Sequence, residues 1–180
     1  MNRERLRALA LECGAARAEL ISGDRVITNP VFRDACASGE CRIYGKCHMC
    51  PPDVGTPEEL MAMVHDYSHA LVLQTVTPLD DPFDMETMSL AGLELNKLVR
   101  KLRARLRETE EGRFLVLGAG GCRLCKPCAK VEGLPCRNPR EALLSMEACC
   151  IDVYNTVKDT ALPYNNGKNT VTFFGMVLFD

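Results

Sequence analysis

Eleven cysteines occur in the chain, and eight of them fall into two groups. The first is Cys36, Cys41, Cys47 and Cys50 in "CASGECRIYGKCHMCPP"; the second is Cys122, Cys125, Cys128 and Cys136 in "GGCRLCKPCAKVEGLPC". Cys13, Cys149 and Cys150 lie outside them. Thiols gathered in proline- and glycine-rich loops cannot build a core, so the groups are read as metal ligands. In the second, C-x2-C-x2-C turns three thiolates to one side of a tight loop, the pattern that holds three irons of a cubane cluster, with Cys136 as the more distant fourth ligand. Zinc sites more often draw one C-x2-C pair from each of two separate knuckles. Gly118, Gly120 and Gly121 add to the iron reading, because glycine lets backbone N–H groups come close to a cluster.

The first group has no evenly spaced triple. Cys47 and Cys50 followed by Pro51-Pro52 are similar to the stiff cysteine-proline exit of a ferredoxin loop. His48 beside three thiols would equally make a Cys3His zinc site, so zinc stands as the alternative there. His65 and His69 are four apart, but nothing completes a metal site around them, and they are read as surface residues at a helix end.

Composition excludes several other chemistries. At 180 residues the chain can bury a core without staples, and it reads as a single metal-binding domain over 1–180. A net charge of −2 with 26% charged residues gives no basic excess for nucleic acid or an anionic membrane. The opening "MNRERLRALALECG" lacks a signal core, and no run is apolar enough to span a bilayer, so a cytoplasmic protein is expected. Reducing pools there keep thiols unpaired, which argues against disulfides. No nucleophile–base pair, phosphate loop or pair of spaced carboxylates stands out.

The elements that must position the thiols follow from the pattern around them. Thr56, Pro57 and Glu59 form a capping box for a helix ending near His65. "ALVLQTV" and "FLVLGAGG" are apolar runs of strand length. "METMSLAGLELNKLVRKLRARLRE" carries Leu95, Leu98, Leu102 and Leu106 on one face, an amphipathic helix. Its Lys97, Arg100, Lys101, Arg103, Arg105 and Arg107 are read as a solvated outer face. Asn138, Pro139 and Glu141 predict a capped helix through "REALLSMEACC", and "NTVTFFGMVLFD" a final strand. The fold class expected is an α/β or α+β sandwich, one compact domain with two cysteine-rich metal-binding loops.

"YGKCHMCPP", "GGCRLCKPCA", "PCRNPREALLSMEACCIDVYNT" and "NTVTFFGMVLFD" together resemble a family of predicted metal-binding proteins known as domain of unknown function 2284. Cys36, Cys41, Tyr44, Gly45, Lys46, Cys50, Pro51 and Pro52 match its first motif. His48 stands near where the family has tryptophan, and Cys47 is an added thiol. Ser145, Met146, Glu147, Ala148 and Cys149 match its third motif, with Cys150 in place of glycine; the resemblance implies that either Cys149 or Cys47 completes the first ligand set. It also implies metal binding and a compact α/β domain, with no reaction assigned. Three functions follow. One is an electron carrier with two [4Fe-4S] clusters and a redox partner protein, either a single chain or a homo-oligomer. Another is an enzyme with one iron lacking a cysteine, recognisable by three thiols beside a pocket faced by Lys46, Asp152 or Tyr154. The third is a protein with structural zinc.

Overall fold

The computed structural model describes residues 2–109 and 112–180. Two ten-residue strands form the centre: β2 (His69–Pro78) and β5 (Thr170–Phe179) run antiparallel, pairing His69 with Phe179 through to Pro78 with Thr170. β1 (Arg17–Ser22) flanks β2, and β3 (Phe114–Gly118) flanks β5, both antiparallel. The two-residue strand β4 (Leu144–Ser145) joins β3 in parallel, giving the order β1-β2-β5-β3-β4.

Side chains alternate across a strand, so a sheet covered on both faces needs apolar residues at successive positions. β2 shows this: Leu71 and Leu73 face one core cluster while Ala70 and Val72 face the other. The first cluster lies under helices α1 (Arg3–Cys13) and α4 (Met85–Thr109), through Leu6, Leu9, Leu95, Val99, Leu102 and Leu106. The second lies under α3 (Pro57–His65) and the 144–151 segment, through Leu60, Val64, Leu144, Met146 and Ile151. The result is a three-layer α/β arrangement. α4 can cross β5 closely because position 175 is glycine, where a Cβ would stand 2.8 Å from Val99 Cγ1.

Local chemistry starts these helices where expected. Thr56 accepts from Glu59 N–H at 3.2 Å while the Glu59 carboxylate accepts from Thr56 N–H at 2.8 Å, the capping box of α3. Asp84 accepts from Thr87 N–H at 3.0 Å at the start of α4, and the Thr87 side chain, followed by this backbone bond, holds its carboxyl below the usual range.

Two expectations are corrected. Residues 140–150 form turns and β4 instead of a helix: Met146 N–H bonds to Gly118 O at 2.9 Å, and Glu141 is drawn away by arginines of α4. The α4 arginines are also not all solvated. Arg103 is buried and donates to Ala142 O at 2.8 Å and to the Glu141 carboxylate at 3.2 Å; burial still holds its pKa down. Arg107 bonds to the other Glu141 oxygen at 2.9 Å. Short helices α2 (Val31–Ala37) and α5 (Val153–Val157) were not signalled by periodicity. Among the described residues no helix is long and apolar enough to cross a membrane.

Candidate metal centre

The two cysteine loops pack against each other at one end of the sheet, beyond the exit of β3. Lys130 of the second loop pairs with Asp53 of the first at 2.6 Å, and the His48 ring is 2.8 Å from Leu134 O. The segment 119–121 runs between the loops, and Asn96 of α4 holds it. Its side-chain amide donates to Ala119 O at 2.9 Å and Gly121 O at 3.0 Å, and its Oδ1 accepts from Ala119 N–H at 3.1 Å. Asn96 is 1% exposed, so these bonds form away from water, where leaving them unmade costs the full desolvation of each group.

The thiols divide differently from their order in sequence. Cys36, Cys41 and Cys50 line one cavity of about 230 Å³ with Ile43, Gly120 and Glu147. Cys47 lines a different, narrow space of about 20 Å³ with Cys122, Cys125, Cys128 and Cys136, beside His48. The C-x2-C of the first loop therefore sends one thiol to each cavity. Cys47 and Cys50 are both buried and hydrogen-bonded to each other. That bond is the main reason the Cys47 thiol is held down, to about 5, with the backbone N–H groups of Met49 and Cys122 and the Cys128 thiol assisting. Its partner Cys50 is pushed up, first by the same bond and then by burial. A thiol held down as Cys47 is lies nearer the thiolate form that binds metal.

Each cavity has its own supporting groups. Around the second, three N–H donors point at sulfur: Leu143 N–H reaches Cys122 Sγ at 3.4 Å, Arg100 reaches it at 3.6 Å, and the Asn138 amide reaches Cys125 Sγ at 3.4 Å. Arg100 also bonds to Cys122 O. Around the first, Gly121 has φ +95°, and a Cβ there would stand 2.4 Å from Ile43 Cδ1 and 3.1 Å from Cys50 Sγ, so the backbone passes against the thiol as only glycine allows. Arg33 is buried and donates to Ala148 O at 2.7 Å and Gly55 O at 2.6 Å, fastening α2, and with it Cys36, over the cavity. Burial raises the Cys36 thiol, the charge of Cys41 adds to this, and Arg33 opposes both.

The remaining candidates lie elsewhere. Cys149 lines neither cavity; it is 0% exposed in the second core cluster, and burial pushes its thiol up to about 12. Asp152 caps α5 by accepting from Asn155 N–H at 3.0 Å, and Tyr154 stacks edge-on against Tyr164. Lys46 is exposed and lines neither cavity. His65 bonds to Thr28 at 2.9 Å, and His69 pairs with Arg3 on β2.

Metal chemistry suits this donor set. Sulfur ligands with N–H groups aimed at them, and a backbone cradle closed to any side chain, are the surroundings that iron–sulfur and other thiolate metal sites require. Among the described residues, however, no three His, Cys, Asp or Glu side chains are drawn together as tightly as around a single ion. Cys125, Cys128 and Cys136 are half-exposed on the second loop, whereas Cys47 and Cys122 of the same space are buried. Arg100, Asn96 and Glu147 were not marked as site residues by the sequence. Only the burial of one helix face against a cysteine loop, a tertiary fact, brings the first two in.

Neither the curated proteins nor the solved structures hold a match to this chain. A family model described as predicted metal-binding protein (DUF2284) matches residues 19–179, from β1 through both cysteine loops to the end of β5. The chain belongs to that family of predicted metal-binding proteins.

Proposed function

We propose that the protein is an iron–sulfur protein with two adjacent cluster sites and a redox role. The observation that carries this reading is the division of the Cys47–Cys50 knuckle between two thiol-lined cavities. In two-cluster ferredoxins a cysteine of one run likewise serves the other cluster, which sets the clusters side by side. Cys122, Cys125, Cys128 and Cys136 are the ligands of the second site, with Cys47 beside them. Cys36, Cys41 and Cys50 are ligands of the first. When bound, the clusters supply one-electron chemistry. The chain's own residues hold the sulfurs, aim N–H dipoles at them and keep water from the buried Cys47 and Cys50. The polar contacts to Cys122 favour added electron density on its sulfur and so raise the potential of the second site.

The test is the metal content of anaerobically purified protein. Two cubanes give about eight irons and eight sulfides per chain, with a brown colour that bleaches on reduction. Stoichiometric zinc without sulfide would show instead that the thiols tie the loops together as structural metal sites.

A further inference from the structure

The first cavity offers three thiols and no fourth. Cys47 lines the second cavity, and Cys149 is enclosed in the core. Among the described residues, the one ionisable side chain besides the cysteines lining the first cavity is Glu147. Its two carboxylate oxygens accept from Gly120 N–H at 3.2 and 3.1 Å, which fixes the carboxylate at the cavity mouth. Glu147 is exposed and forms no ion pair among the described residues, so its charge is answered by backbone alone.

Gly120 also lines an adjoining cleft of about 390 Å³, where Arg123 Nη2 stands 4.0 Å from the place a Cβ on Gly120 would take. Arg42 and Arg123 both line that cleft, with Ser89, Met85, Met88 and Phe173. Among the described residues neither guanidinium has a hydrogen bond or ion pair, and no acid lines the cleft with them. Both guanidinia are solvent-exposed and free to close on an anion in that space, and a planar carboxylate suits their fork geometry. Methionine and phenylalanine on the same walls fit an apolar chain behind the carboxylate.

We propose that the Cys36, Cys41 and Cys50 site holds a cluster with one iron lacking a cysteine, whose fourth position takes carboxylate oxygen. Glu147 supplies that oxygen at rest, and a small carboxylate with an apolar chain, drawn in by Arg42 and Arg123, replaces it. The exchange conserves charge, since one carboxylate leaves the metal as another arrives, and no oxidant is consumed. This rests on the iron–sulfur reading above. It makes the two sites unlike: a closed electron-transfer cluster and one open to a ligand.

The experiment uses anaerobically purified full-length protein with hexanoate labelled with carbon-13 at the carboxyl as the probe. Mild ferricyanide oxidation is expected to remove a single iron, from the first site alone, giving a three-iron EPR signal. Labelled hexanoate is expected to show carbon-13 coupling to the reduced first cluster by electron–nuclear double resonance. Glu147→Gln changes the resting spectrum with hexanoate absent. A double variant, Arg42→Ala with Arg123→Ala, keeps wild-type iron and sulfide but needs at least about tenfold more hexanoate for the same coupling. Full iron and sulfide with no labile iron, or with no carbon-13 coupling at any hexanoate concentration, overturns the open site while leaving the two-cluster reading intact. Zinc without sulfide overturns both.

Discussion

Two thiol-lined spaces share the end of one sheet, yet they are built to opposite plans. The second leaves only about 20 Å³ of space among five cysteines and aims N–H donors from α4 and the 138–143 segment at two of them, Cys122 and Cys125. The first spreads three sulfurs around about 230 Å³ and meets a carboxylate at its mouth. Surplus ligands with hydrogen bonds to sulfur hold a group permanently and tune its electronics, whereas a deficit with room to spare admits something from outside. Such a difference would not be expected of two copies of one motif. It arises because the two touching thiols of a single C-x2-C knuckle open onto different spaces, Cys47 onto the second and Cys50 onto the first.

The most damaging way to break this comparison is to remove what separates the two spaces. Asn96 makes three buried hydrogen bonds to the 119–121 segment, which walls the first cavity at Gly121 and leads directly into Cys122 of the second. Asn96→Ala leaves two carbonyls and an N–H without partners and is expected to cost about 2–4 kcal/mol, measured as a lower urea midpoint at unchanged slope. Iron and sulfide are expected to fall at both sites together. Loss at one site alone would mean that the segment supports only that cavity, and that the two are independent of their common wall.

Much of this frame was legible in sequence, for reasons that are local. The α3 capping box needs only Thr56, Pro57 and Glu59, and α4 announces itself by leucines on one face. The C-x2-C-x2-C triple lines one space because its spacing leaves little choice. What spacing cannot state is surroundings: nothing in "CHMC" says that its two touching thiols line different spaces. The 138–150 segment shows the same limit. Asn138, Pro139 and Glu141 have the chemistry of a helix start, but Glu141 is worth more opposite Arg103 and Arg107, and Asn138 donates to Cys125 instead. Tertiary partners outweighed a local propensity of a few tenths of a kcal/mol per residue.

A narrower test separates the sites electronically. Arg100 is the α4 residue that reaches Cys122, by both its carbonyl and its sulfur. Arg100→Lys keeps the charge on the helix but gives up the fork that makes both contacts at once. Fewer hydrogen bonds to sulfur favour the oxidised cluster, so the reduction potential of the second site is expected to fall while that of the first holds steady. Redox titration followed by EPR reads the two separately. Equal movement at both would show that the arginine acts only as a distant charge and that the sites are not distinguished by their N–H donors.

The gentlest change bears on the ligand count itself. Cys149 matches the family motif and stands close in sequence to Glu147, so on sequence grounds it competes with Cys47 to complete the first set. In the fold it is fully enclosed among Met146, Ala148 and Ile151 in the apolar cluster beneath the sheet, and burial holds its thiol protonated at neutral pH, with a pKa of about 12. A protonated thiol packed as a small hydrophobe is a poor metal ligand. Cys149→Ala is therefore expected to cost about 1 kcal/mol through the space left in the core. Iron, sulfide and both EPR signals should stay as in wild type. If the first site instead lost its iron, Cys149 would be its fourth ligand, and the contrast between a closed and an open centre would collapse into two closed ones.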